Sequence, residues 1–129
     1  MRNFLFAMLA LGLTAVSLSA CSGSKVRITE KDNAQTFTLQ PGDTLSLSIE
    51  GNPTTGYNWE IEEVDTSILA PIGDPQYKSS SSLIGTGGTY TFTFEAKAIG
   101  TTNLKLKYYR SFEKDTPPIQ TFAVTVNVQ

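Results

Sequence analysis

No histidine occurs among the 129 residues, and cysteine occurs once. These absences remove most catalytic chemistry. Without histidine or a second thiol, no Ser-His-Asp triad or Cys-His pair can be assembled, and the common zinc ligand sets are out of reach. A single cysteine cannot close an internal disulfide. We therefore expect no enzyme, no metal and no cofactor. A positive charge balance is also missing: ten basic residues face twelve acidic ones, for a net charge of −2. That leaves no footprint for nucleic acid. Lys105, Lys107 and Arg110 form only a short basic stripe, read as the wet face of a strand. Glu60, Glu62, Glu63 and Asp65 are the densest acidic cluster, read as a solvated strand end, since nothing locates two carboxylates across a cleft. Helical periodicity is absent too; residues 61–68 offer at most one helical turn.

The chain does open on an apolar run, at residues 4–16 behind Arg2. It is shorter than the about 20 residues a membrane-spanning helix needs. A positive n-region, an apolar h-region and small residues before a cleavage point make a secretory signal. Leu18-Ser19-Ala20-Cys21 resembles the bacterial lipobox, in which the cysteine is lipidated and becomes the mature N-terminus. The expected division is a lipoprotein signal peptide at 1–20, a lipidated Cys21 with a short tether at 21–24, and one domain at 25–129. By the same resemblance, Ser22 in place of Asp favours the outer membrane of a Gram-negative envelope, with the domain in the periplasm or at the cell surface. Three tether residues reach only about 10 Å, so the domain lies close to its membrane.

Elsewhere apolar residues recur with period two. Leu45, Leu47 and Ile49 alternate with polar neighbours, as do Tyr57, Trp59 and Ile61; Tyr90, Phe92 and Phe94; Leu104, Leu106 and Tyr108; and Phe122, Val124, Val126 and Val128. Strands with one wet face each predict an all-β, immunoglobulin-like antiparallel sandwich, with Trp59 in its core. The connections fall into two classes. Segments 41–43, 71–75 and 99–100 carry compact turn chemistry rich in Pro, Gly and Asp. Between them lie three longer segments: 52–56, 79–88 and 110–118. Successive connections of a sandwich alternate between its ends, so the three unusual loops are expected to gather at one end as a binding surface. A chain reversal at 30–34 would place the N-terminus at the opposite end; a mere kink there would turn the loops toward the membrane. We read a reversal.

The first loop is Asn52-Pro53-Thr54-Thr55-Gly56-Tyr57, with one rigid and one permissive residue framing two hydroxyls. The second carries a serine tract at 79–82, read as solvated, and ends in Gly85-Thr86-Gly87-Gly88, where another backbone can approach closely. The third opens with Arg110-Ser111-Phe112, a loop-tip aromatic beside an arginine, typical of interface anchors. Together these segments resemble the chagasin family of cysteine-peptidase inhibitors, whose loops carry NPTTG plus an aromatic, GxGG, and Arg-Pro-aromatic. The first two motifs are met in full; in the third, Ser111 replaces the proline. The resemblance spans the whole mature domain and implies a monomeric inhibitor of papain-like cysteine peptidases. It implies that Thr54 and Thr55 sit over the target's catalytic cysteine and histidine, and that Gly56 lets the loop fit the cleft. Gly85 to Gly88 would line the non-primed groove, and Arg110 and Phe112 the primed side. A standard interface would bury about 800 Å² per partner. The alternative is an immunoglobulin-like envelope lipoprotein for adhesion or assembly, using the same loops on another partner.

Overall fold

The structure, a computed structural model, describes residues 23–129. The signal peptide and Cys21 readings lie outside the described residues. Within them, nine strands form two packed sheets. The first sheet orders β1 (Lys25–Thr29), β3 (Thr44–Gly51), β7 (Gly88–Ala96) and β5 (Leu69–Pro71), with β6 (Gln76–Ser79) also on β7. The second orders β2 (Thr36–Leu39), β9 (Gln120–Val128), β8 (Gly100–Tyr109) and β4 (Asn58–Glu63).

Alternation in the sequence becomes alternation in space. Leu45, Leu47 and Ile49 pair with Phe94, Phe92 and Tyr90 across the first sheet. Leu104 and Leu106 pair with Val124 and Phe122 across the second. These side chains are buried between the sheets with Trp59 and Tyr108. Each fully buried Leu, Val or Phe contributes about 1.5–3 kcal/mol relative to exposure, so the core dominates the fold's stability. One inward position is polar. Thr102 is buried, and its hydroxyl accepts the Asp65 amide at 2.9 Å, which fixes the 64–68 turn at one end of the sandwich.

The chain does reverse after β1, through a 3-10 turn at Glu30–Asp32 capped by Thr29. β1 then lies parallel to β3, and β2 parallel to β9. Both parallel pairs are at one side of an otherwise antiparallel sandwich, because the chain changes sheets at this turn and again at 40–43. Ser24 donates its amide to Asp43 Oδ1 (2.8 Å), so the described N-terminus sits beside the 40–43 turn.

One expected turn is not a turn. Segment 71–75 does not reverse the chain: β5 and β6 run in the same direction along β7, pairing Leu69 with Ala96 and Ser79 with Gly88. Pro71 to Pro75 is an interruption in one edge strand, where a missing N–H costs no ladder bond. The reversal at that end is made instead by 64–68.

Candidate functional site at the three-loop end

Loop 1 is built around Asn52. Its amide donates to the Tyr108 hydroxyl at 2.8 Å, tying the loop to a buried ring. Its side-chain oxygen accepts the Thr54 amide (3.1 Å) and the Thr54 hydroxyl (2.5 Å), capping a 3-10 turn at Pro53–Thr55. The Thr55 hydroxyl donates to the Asn52 carbonyl at 2.7 Å. Pro53 occupies the first turn, where no amide is needed. Gly56 ends the turn at φ +85°, in the left-handed region that favours glycine. Thr54 and Thr55 remain exposed at the tip. Tyr57 packs behind them on Tyr108, with ring centroids 5.4 Å apart.

Loop 2 is joined to loop 1 directly: Asn52 Nδ2 donates to the Gly85 carbonyl at 3.0 Å. Its neck is closed by the Ser80 amide and hydroxyl, both donating to the Gly87 carbonyl. Its turn is closed by the Thr86 hydroxyl donating to the Leu83 carbonyl (2.7 Å). The serine tract therefore helps hold the loop and is not merely solvated. At Gly88 a Cβ would lie 2.2 Å from the Lys78 carbonyl oxygen. The close approach that this glycine permits is made by the chain's own β6. Leu83 and Ile84 stand at the outer turn, 74% and 104% exposed. Sequence reasoning passed over this pair; the available signal was two branched aliphatics in a Ser/Gly-rich loop with no strand to bury them.

Loop 3 leans on loop 1. Arg110 Nε donates to the Thr55 carbonyl at 3.0 Å, and its guanidinium lies 4.3 Å above the Tyr57 ring. Nη1 pairs with Glu113 at 2.9 Å. That hydrogen bond raises the arginine's pKa further above its ordinary range, so the group stays cationic. Ser111 and Phe112 are exposed, and Phe112 borders Gly56. Of the arginine and aromatic expected to face a partner, Phe112 stands exposed to solvent, while Arg110 turns back onto its own domain.

The sequence-derived residues thus meet at one end: Asn52 to Tyr57, Gly85 to Gly88 and Arg110 to Phe112 form one hydrogen-bonded rim. Tyr108 and Glu113 belong to it as well, and neither was singled out from the sequence as part of it. Beneath the loop roots a hollow of about 800 Å³ opens, lined by Asn52, Gly87, Trp59, Tyr108 and Phe122. Among the described residues no cluster of acidic or thiol groups could hold a metal. The acidic cluster is dispersed into local bonds: Glu60 accepts from Tyr109, Glu63 pairs with Lys105 and Asp65 accepts from Ser67.

Residues 38–126 match the model of the chagasin family of peptidase inhibitors, I42. Chagasin from Trypanosoma cruzi is 28% identical over 102 residues, covering 76% of this chain and 93% of that protein. Amoebiasin-2 from Entamoeba histolytica is 28% identical over 103 residues, covering 79% of this chain and 84% of its own. Among solved structures, the cysteine protease inhibitor EhICP2 from Entamoeba histolytica superposes with a TM-score of 0.74 at 26% identity, covering 82% of this chain and 96% of that one.

Proposed function

Since this chain belongs to the chagasin family of peptidase inhibitors, we propose that its three-loop rim seats in the active-site cleft of a papain-like cysteine peptidase and blocks it reversibly. The observation that carries the reading is the mutual bonding of the loops. Asn52 holds loop 2 and Arg110 holds loop 1, while Thr54, Thr55, Leu83, Ile84 and Phe112 are left exposed. Such a rim loses little conformational entropy on docking, which is how preorganisation yields tight binding.

The same geometry explains why the tip would resist cleavage. A peptidase substrate lies extended in the cleft, whereas 53–55 is a 3-10 turn. To be cut, the tip would have to break the Thr54–Asn52 cap, the Gly56 amide bond to the Pro53 carbonyl and the Arg110 bond to Thr55. The Thr55 carbonyl is bonded to Arg110 Nε within its own domain, so swinging it into an oxyanion hole would cost that hydrogen bond. The tip occludes the cleft without offering a peptide bond in attack geometry.

Titrating papain with the mature domain tests this. The expected result is a loss of activity that reaches completion at one inhibitor per enzyme and reverses on dilution with excess substrate. Full activity at micromolar protein would remove the reading.

We propose further that Cys21 carries the lipid that holds the domain at an envelope membrane, in keeping with the Leu18-Ser19-Ala20-Cys21 sequence. The N-terminal end near Asp43 is remote from the loops, so an anchored domain would present its rim outward. Metabolic labelling with an alkyne fatty acid should mark the protein and should fail for Cys21→Ser. Equal labelling of both would refute the anchor.

A further inference from the structure

Residues 110–113 form a four-residue turn closed by the Glu113 amide donating to the Arg110 carbonyl at 3.1 Å. The second position of such a turn favours proline, which fixes φ. Here it is Ser111, exposed and with no covalent restraint on φ. The side-chain restraint on the turn is the Arg110–Glu113 pair, 2.9 Å long, with the two side chains 31% and 34% exposed.

That pair has a second consequence. The guanidinium is planar, so its donors are fixed relative to one another. With Nη1 held by Glu113, Nε is aimed at the Thr55 carbonyl (3.0 Å) and the plane lies over Tyr57. Phe112, inside the same turn, is held against Gly56. We propose that Glu113 is a positioning residue for loop 1: acting through Arg110, it holds the Thr54 and Thr55 tip in its binding shape, by an ion pair where a proline at 111 would do so covalently. Without Glu113 the guanidinium keeps one hydrogen bond and a ring contact, and the tip opens more often. Apparent affinity then falls in proportion to the closed fraction.

The inhibition arm of the test rests on the function proposed above; the exchange arm does not. Glu113→Ala should raise the inhibition constant against papain by up to about fivefold, the size expected for losing an ion pair whose side chains are about one-third exposed and which sets a loop population. Glu113→Gln, which keeps an acceptor oxygen, should lose less. Adding Ser111→Pro to Glu113→Ala should recover most of the loss. Independently, the Thr55 and Gly56 amides are bonded within the turn, so their hydrogen exchange reports its opening. Exchange at both should quicken in Glu113→Ala, by the factor by which the open-to-closed ratio rises, and slow again with Ser111→Pro. If the native domain leaves papain active, the proposed function falls, and exchange alone still decides the role of Glu113. Unchanged exchange at Thr55 and Gly56 in Glu113→Ala, no recovery with proline, or a global fall in the thermal midpoint would overturn it.

Discussion

Replacing Gly56 by alanine perturbs the rim where loops 1 and 3 meet. Gly56 sits at φ +85°, where an L side chain is strained by about 1–2 kcal/mol. The added Cβ would lie 3.0 Å from both Cε1 and Cζ of Phe112 and 3.5 Å from Arg110 Nε. Phe112 is 68% exposed and can swing away, so the clash itself costs the fold little. The backbone term remains, and for a domain of this size it lowers the thermal midpoint by on the order of 5–10 °C. Inhibition should suffer more than stability, because in the proposed function the displaced ring and the shifted tip both meet the peptidase. A loss of 2–3 kcal/mol in binding corresponds to about 30- to 150-fold. The assay is a double-mutant cycle of Gly56→Ala and Phe112→Ala, read as inhibition constants of a papain-like peptidase. In the Phe112→Ala background Gly56→Ala should cost clearly less, since the ring is no longer there to displace. Equal costs in both backgrounds would refute the claim that these residues act through their contact. Native-like inhibition by Gly56→Ala alone would refute the role of the turn.

Other consequences are as definite. Tyr108→Phe removes the hydroxyl that accepts the Asn52 amide, leaving that donor unpaired at a buried ring; chemical denaturation should show a loss of about 1–3 kcal/mol, with weaker inhibition. Leu83→Ser with Ile84→Ser should leave the thermal midpoint unchanged, since both side chains face solvent, yet weaken inhibition about tenfold if they fill an apolar subsite of the target; unchanged inhibition would exclude the pair from the interface. The Tyr90 phenol is raised above its ordinary 10.0, first by burial and then by the neighbouring Tyr108 and Tyr77. A group whose pKa is raised by folding stabilises the fold below its unfolded value and stops doing so as pH rises through its folded one. Stability should therefore decline above pH 10, and less steeply in Tyr90→Phe; identical profiles would exclude Tyr90 as the cause.

Period-two alternation exposed the sheets because one face of each strand is dry, as with Leu104 and Leu106 against Lys105 and Lys107. The gathering of the loops followed from strand parity alone. Pro71 to Pro75 misled because the residues that make a turn also interrupt an edge strand, and only pairing with β7 tells the two apart. Long-range pins were beyond reach: Tyr108 and Asn52 are 56 positions apart, and nothing local marks a core tyrosine as a loop anchor. Nor could the direction of Arg110 be read, since it depends on a carbonyl 55 positions away in another loop. The glycines of loop 2 were visible, but what approaches Gly88 is the chain's own Lys78 carbonyl.

Inhibition through the loop rim requires that this face of the domain, at one end of the sandwich, meets the peptidase. Hydrogen–deuterium exchange of the domain, alone and saturated with a papain-like peptidase whose catalytic cysteine is replaced by alanine, addresses that face directly. Protection should appear at 52–57, 83–88 and 110–113. It should be absent from the opposite end at 40–43, 64–68 and 97–100. Protection centred on that opposite end, or on the outer strand faces with the three loops unchanged, would contradict it.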